Sequence, residues 1–134
     1  MEGEGLAFSI RIDEKSGVPL YRQIIEQVEF GVARGDLVAG DQLPTVRQLA
    51  VELSINPNTV LRAYREMEIK GVLDTQQGSG TFVSRKKPEI GKGERGRMLD
   101  QIVMEMLARA SRYGFSVDEV LDGLRQAQGR QGAK

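Results

Sequence analysis

The chain has 134 residues, of which 40% are hydrophobic, and its 19 basic and 19 acidic side chains give a formal net charge of zero. This length predicts one small domain with an appendage, and the balanced charge means that any positive surface has to be local. Because cysteine and histidine are both absent, disulfides, the usual zinc sites and histidine-based catalysis are excluded. The carboxylates are scattered and suggest no pocket, so we predict no enzyme, no metal and no cofactor.

The N-terminus does not have the pattern of a targeting segment. Residues 1–5 contain two acidic residues and two glycines after Met1, without the basic region and apolar run of a signal peptide. No segment approaches the run of about eighteen apolar residues that a transmembrane helix needs. We therefore expect a cytoplasmic protein with no membrane partner.

Two elements are predicted before the centre of the chain. Phe8, Ile10 and Ile12 alternate with polar residues, which is the period of a half-buried β-strand. A helix is predicted from Pro19 to just before Gly35, because apolar residues recur on one helical face between them.

The centre of the chain, residues 43–70, predicts two amphipathic helices joined by a tight turn. Thr45 and Gln48 form a capping box at the start of the first helix. Asn56 followed by Pro57 is a second start signal, with a side-chain oxygen at the N-cap and a preset φ at the first helical position. This is the layout of a helix-turn-helix, whose second helix presents its first polar residues to the major groove.

A β-hairpin is predicted after the second helix. Gly71 is placed to end that helix in a left-handed cap. Residues 72–75 and 81–84 are short β-prone runs on either side of a glycine-rich loop, residues 76–80. Such a hairpin next to a helix-turn-helix is a wing.

These motifs resemble a known family. Residues 43–70, with Pro19-Leu20-Tyr21 before them and the run Gly78–Val83 after them, resemble the winged helix-turn-helix of the GntR family of bacterial transcription regulators over about residues 8–84. The resemblance implies a dimeric, repressor-like DNA-binding protein. It also implies that the arginine of the LP(S/T)xR motif, here Arg47, is a principal DNA contact, and that the tip of the wing approaches the minor groove.

The candidate DNA contacts combine this resemblance with the chemistry of the residues. Arginine is favoured because its fork-shaped donor suits both guanine and phosphate, and polar groups at a helix N-terminus suit phosphates and base edges. The predicted DNA-binding residues are Arg47, Thr45, Asn56, Asn58, Thr59, Arg62, Arg34, Gln77 and Gly78.

Several of these residues have a structural explanation as well. Capping alone would explain Thr45 and Asn56, and Arg34 could simply complement the dipole at the end of the first helix. Arg65 is expected to pair with Glu66 or Glu68, or to follow the DNA backbone. The ring of Tyr64 is predicted to lie in the core, since Tyr64 falls on the apolar face of its helix.

The segment that follows the wing is basic. Residues 85–97 contain six basic and two acidic residues together with Pro88, Gly91 and Gly93, which predicts a linker. A solvated hinge and a phosphate-contacting arm remain equal alternatives for it.

The last part of the chain predicts two helices. A broad apolar stripe begins near Met98, Gly114 should end the first helix, and Ser116 with Glu119 forms a capping box for the second. The polar tail from Gln126 is expected to fray. Two helices cannot bury so wide a stripe, so we expect it to form a homodimer. The predicted dimerisation residues are Leu99, Ile102, Val103, Met106, Leu107 and Ala110.

Together these patterns predict an α+β fold, with a winged helix-turn-helix DNA-binding domain over residues 1–84, a basic linker over 85–97 and an all-α two-helix dimerisation extension over 98–134. The short extension resembles the YtrA-like subfamily of the GntR family and leaves the identity of any small-molecule effector open. We predict a homodimeric repressor of transcription that binds a pseudo-palindromic double-stranded DNA operator. The alternative, which the zero net charge favours, is a winged-helix protein-interaction module without specific DNA binding.

Overall fold

The computed structural model describes residues 8–128. Contacts divide them into two units, an N-terminal one that ends at Lys86 and a C-terminal one over Lys87–Gln128. Within this described range, the elements in chain order are α1 (Leu20–Arg34), β1 (Gln42–Leu43), α2 (Val46–Leu53), α3 (Pro57–Ile69), β2 (Leu73–Gln76), β3 (Gly80–Val83), α4 (Lys92–Arg112) and α5 (Val117–Ala127). The predicted α+β fold, with a winged helix-turn-helix followed by helices, is confirmed.

One hydrophobic core holds the N-terminal unit together. The helix α3 lies at its centre, because it contacts α1, α2 and β2. Burying a large aliphatic side chain contributes about 1.5–3 kcal/mol, so this core keeps the elements around α3 in fixed positions. The largest fully buried side chains are those of Ile24, Val28, Leu37, Val60, Met67 and Leu73.

The first described residues do not form the predicted strand. Phe8, Ile10 and Ile12 pack against the core as extended chain. Gln27 of α1 takes the place of a strand partner, because its Oε1 accepts from the Arg11 N–H at 2.9 Å and its Nε2 donates to the Arg11 carbonyl at 2.6 Å. The prediction was wrong because the alternation reflects burial of one face and not pairing in a sheet.

The helix α1 begins and ends where it was predicted. It starts after Pro19, and Gly35 at its end has a φ of +87°, with its N–H bonded to the Val32 carbonyl at 3.2 Å. Gly31 lies inside the helix, where glycine is unfavourable. A Cβ at this position would lie 2.8 Å from Cε1 of Phe8, so the missing side chain makes room for that ring.

The helix-turn-helix has the predicted caps. The Thr45 hydroxyl accepts from the Gln48 N–H at 3.0 Å, and Gln48 Oε1 accepts from the Thr45 N–H at 2.9 Å. The Asn56 side chain accepts from the Asn58 N–H at 2.8 Å. In the turn, Ser54 has a φ of +58°, and its N–H caps two carbonyls of α2. Local side-chain chemistry therefore sets both helix starts.

The wing is the predicted hairpin, with each strand within one residue of its predicted range. The strands β2 and β3 pair antiparallel, and Gly71, with a φ of +83°, follows α3 as predicted. The strand β1 was not predicted. It pairs antiparallel with the other edge of β3, with Gln42 opposite Phe82 and Leu43 opposite Thr81, which gives the order β1-β3-β2.

The basic segment after the wing is shorter than predicted. The helix α4 begins at Lys92, so the linker prediction was wrong for residues 92–97. An acidic residue in the first turn favours a helix N-terminus, and Glu94 occupies that turn and pairs with Arg97 at 2.8 Å. These interactions outweigh the glycines that suggested a linker.

The C-terminal unit is a helical hairpin in which α4 and α5 contact each other. Gly114, with a φ of +83°, follows α4 as predicted. The capping box at the start of α5 is also confirmed, since the Ser116 hydroxyl accepts from the Glu119 N–H at 3.1 Å and Glu119 Oε1 accepts from the Ser116 N–H at 2.8 Å. The helix continues to Ala127, two residues into the predicted frayed tail, and residues 129–134 lie outside the described range.

Candidate nucleic-acid interface

Tyr64 fixes the start of α2 against α3. It lies in the core as predicted, and its hydroxyl donates to the Pro44 carbonyl at 2.7 Å. Pro44 directly precedes the cap of α2, so this bond ties α3 to the start of α2. Burial raises the pKa of Tyr64, and the nearby charge of Glu52 adds to the shift, so the hydroxyl keeps its proton and stays a donor.

Replacing Tyr64 with phenylalanine is expected to lower the free energy of unfolding by about 1 kcal/mol, because the Pro44 carbonyl loses its partner. Urea denaturation followed by circular dichroism measures the change. Tyr113→Phe is a matched control, since Tyr113 is 72% exposed, and it should leave the midpoint unchanged. Equal midpoints for the two variants would contradict the role of the Tyr64 hydroxyl.

Arg47 lies in the first turn of α2 with an exposed side chain. Within residues 8–128 it makes neither a hydrogen bond nor an ion pair, so the whole donor fork is available for a guanine or a phosphate. Thr45 precedes it by two residues. Its hydroxyl oxygen is used in the capping box, but its hydroxyl proton can still donate to a phosphate.

The start of α3 combines capping with exposed polar groups. The Asn56 oxygen is committed to the Asn58 N–H, which agrees with the capping explanation of Asn56. The Asn58 side chain is exposed, and the described part of the chain offers it no hydrogen-bond partner. Thr59 is half-buried, and its N–H donates to the Asn56 carbonyl at 3.0 Å. Asn58 is thus the residue of the three whose side chain is exposed and, within residues 8–128, makes no hydrogen bond.

Arg62 is exposed but not unpartnered. Its Nε lies 3.4 Å from Oε2 of Glu66, and its guanidinium carbon lies 3.7 Å from the centre of the Tyr21 ring.

The expected pairing of Arg65 with Glu66 or Glu68 was wrong. Residues one apart do not face each other on a helix, so Glu66 meets Arg62 four residues before it, and the Glu68 carboxylate accepts from the Thr75 hydroxyl instead.

Arg34 is the last residue of α1, and its Nε lies 3.8 Å from Oδ2 of Asp36. Its charge is therefore partly satisfied within the chain. A cation in the last turn also complements the helix dipole, so the structural explanation of Arg34 has support. The side chain is 51% exposed.

The tip of the wing is exposed and is held by a hydrogen bond from β1. Gln77 and Gly78 lie in the turn between β2 and β3, where Gly78 has a φ of +81°. The Gln42 side chain of β1 donates to the Ser79 carbonyl at 3.1 Å. A Cβ at Gly80 would lie 2.6 Å from Nε2 of Gln42, so Gly80 makes room for the anchor.

Two residues that hold this surface were not predicted as part of it. Gln42 lies 37 residues from Ser79, and no local pattern connects a two-residue strand with a distant turn. Tyr21 was noted only as part of a family motif. Its spacing from Arg62 gives no helical or strand period, so its position under the guanidinium could not be read from the chain.

The C-terminal unit exposes an apolar surface. Leu99, Ile102 and Val103 are 61%, 56% and 37% exposed, whereas Met106, Leu107 and Ala110 are half-buried. Every residue of α4 and α5 is exposed or half-buried. Exposed apolar area of this kind is unfavourable in water. None of the helices formed by residues 8–128 is long and apolar enough to cross a membrane.

The helix α1, the helix-turn-helix and the hairpin wing define the class of winged helix-turn-helix transcription regulators. A family model described as bacterial regulatory proteins, gntR family, matches residues 20–83. Two relatives from Bacillus subtilis (strain 168) extend the similarity over most of the chain. The chain therefore belongs to the GntR family of bacterial regulatory proteins.

The first relative, the uncharacterized HTH-type transcriptional regulator YhcF, is 33% identical over 111 residues, 83% of this chain and 91% of that protein. The second, the HTH-type transcriptional repressor YtrA, is 33% identical over 118 residues, 87% of this chain and 90% of that protein. Both aligned regions are longer than the N-terminal unit, so they include part of the C-terminal helices.

A solved structure gives the same result for the fold. YtrA from Sulfolobus acidocaldarius, a GntR-family transcription factor, has a TM-score of 0.54 and 32% sequence identity. The similarity covers 87% of this chain and 94% of that chain. The resemblance to the YtrA-like subfamily is thereby confirmed.

Proposed function

We propose that the chain is a homodimeric transcription repressor without catalytic activity, which binds a pseudo-palindromic DNA operator in the cytoplasm. The observation that carries this proposal is the exposed side chain of Arg47, which has no partner within residues 8–128 and lies in the first turn of α2. The name of its relative YtrA, a transcriptional repressor, supports the sign of the regulation.

The exposed apolar residues of α4 support the dimer. Burial of apolar area is favourable by about 25 cal/mol per Å², and a second copy of the chain presents the same side chains to this one in a two-fold arrangement. Leu99, Ile102 and Val103, the most exposed of the predicted dimerisation residues, would then lie at the contact. Residues 1–84 would act as the DNA-binding part and residues 98–134 as the dimerisation part.

A two-fold dimer suits a duplex with two half-sites. The two α3 helices would enter successive major grooves, about 34 Å apart, on one side of the DNA. Arg47 and Asn58 would read base edges, while Thr45 and the wing tip at Gln77 would contact the backbone or minor groove. The bound dimer would block access of the transcription machinery to the promoter, and transcription would be repressed.

A selection of bound oligonucleotides from a random pool tests this function. The purified chain is expected to enrich an inverted repeat whose half-sites lie about 10 base pairs apart. The Arg47→Ala variant serves as the matched control and should enrich the repeat less. A pool that stays random with the wild-type chain would contradict the proposal and would favour a protein-interaction module.

Lys86→Ala combined with Lys87→Ala is expected to weaken binding to all sequences alike. Each lost phosphate contact should reduce the slope of log K against log salt concentration by about 0.9, which titrations at several salt concentrations measure. Arg112→Ala, in the last turn of α4, is the control with one exposed charge removed and should keep the wild-type slope. If the lysine variant also keeps that slope, these two lysines lie in a spacer that does not contact DNA.

A further inference from the structure

Two side chains of this chain hold the guanidinium of Arg62 in place. Its carbon lies 3.7 Å from the centre of the Tyr21 ring, and its Nε lies 3.4 Å from Oε2 of Glu66. The Arg62 side chain is still 61% exposed. These contacts therefore orient the guanidinium without burying it.

Tyr21 is a firm support for this contact. It is the second residue of α1 and packs half-buried against the core. The turn before α1 is fixed by Gln23, which is buried and whose Nε2 donates to the carbonyls of Asp13 at 2.9 Å and Val18 at 2.8 Å. The Arg62 guanidinium therefore lies against a ring that is itself packed on the core.

The two partners of Arg62 differ in what they would do near DNA. The carboxylate of Glu66 is repelled by phosphates and competes for the donors of the guanidinium. The ring of Tyr21 carries no charge and covers only the face of the guanidinium, whose N–H donors lie along its edges. Contact with the ring leaves every donor of the guanidinium available for a bidentate hydrogen bond to a guanine or a phosphate, whereas the contact with Glu66 occupies Nε.

We propose that Tyr21 is a positioning residue for DNA recognition, because its ring sets the plane of the Arg62 guanidinium before binding. This inference rests on the proposed function. A guanidinium that is already oriented loses less rotational freedom when it meets the DNA. Tyr21 thereby contributes to affinity without contacting the DNA itself.

Affinities of four variants for the selected operator test the proposal. Tyr21→Leu keeps apolar bulk but removes the ring, and it is expected to bind about three- to fivefold more weakly, which is the size of an exposed cation–π contact. Tyr21→Phe keeps the ring and should bind like the wild type. In an Arg62→Ala background, Tyr21→Leu should have no further effect, since the contact is already lost.

Two results would overturn the inference. One is wild-type affinity for Tyr21→Leu, and the other is the same loss with and without Arg62, which would make the ring a purely structural element. Either result leaves the proposed function standing if Arg47→Ala still weakens binding. A wild-type chain without any sequence preference overturns the proposed function, and this inference with it.

A measurement without DNA tests the contact separately. The chain contains no tryptophan, so Tyr21→Trp introduces a single tryptophan under Arg62, whose emission can be excited selectively. Removing the guanidinium by Arg62→Ala is expected to change the emission of this tryptophan, with circular dichroism showing that both proteins are folded. An unchanged emission would mean that the contact does not form, and the inference would be overturned.

Discussion

Replacing Arg47 with alanine is expected to weaken binding to the selected operator by about 1–3 kcal/mol and to relax the base preference at one position of each half-site. The reason is that Arg47 is exposed and, within residues 8–128, has no partner that competes for its donors. Fluorescence anisotropy with the operator and with its single-base variants measures both effects.

Two control variants separate base recognition from charge. Arg47→Lys keeps the charge but loses the planar fork, so it is expected to lose the base preference while it retains binding to a shuffled duplex. Arg112→Ala removes an exposed arginine of α4 and should change neither quantity. If Arg47→Ala loses equal affinity on the operator and on the shuffled duplex, Arg47 contacts only phosphate and does not read a base.

Replacing Ile102 with glutamate is expected to produce monomers and to reduce operator affinity by about a hundredfold or more, because the two DNA-binding units lose the advantage of being linked. Ile102 is 56% exposed within the chain and glutamate is a good helix former, so the protomer should stay folded. Sedimentation velocity measures the oligomeric state, and gel-shift titration measures the affinity.

Ala108→Glu is the matched control for the dimer, because Ala108 is also exposed in α4 but lies about 900° of helical rotation beyond Leu99, a net half-turn that places it opposite that residue of the predicted dimerisation stripe. This variant should remain a dimer with wild-type affinity. A dimer that survives Ile102→Glu, or one that both substitutions disrupt equally, would contradict the proposed interface.

The elements that the sequence predicted well are set by neighbouring residues. Thr45 with Gln48, and Ser116 with Glu119, cap their helices through bonds that span three residues, so the pattern contains the whole interaction. The same holds for Gly35, whose left-handed φ ends α1. Periodicity also placed Tyr64 of α3 in the core, because helical spacing decides which side chains share a face.

The features that were missed or wrong depend on distant residues. The strand β1 exists only because β3 lies beside it. The segment that begins at Phe8 alternates apolar and polar residues but has no strand partner, because the Gln27 side chain pairs with the backbone of Arg11. At the candidate site Arg47 was predicted from the family motif and from the chemistry of arginine. The ring of Tyr21 was not, since 41 positions separate it from Arg62 and only the packing of α1 on α3 joins them.

Sedimentation of the chain with a fluorescent duplex that carries the selected repeat tests the central claim most directly. Two protomers are expected on each duplex, bound together at concentrations where a shuffled duplex of equal length remains free. A single protomer per duplex, or equal occupation of the shuffled sequence, would contradict a dimer that recognises its operator through paired helix-turn-helix units.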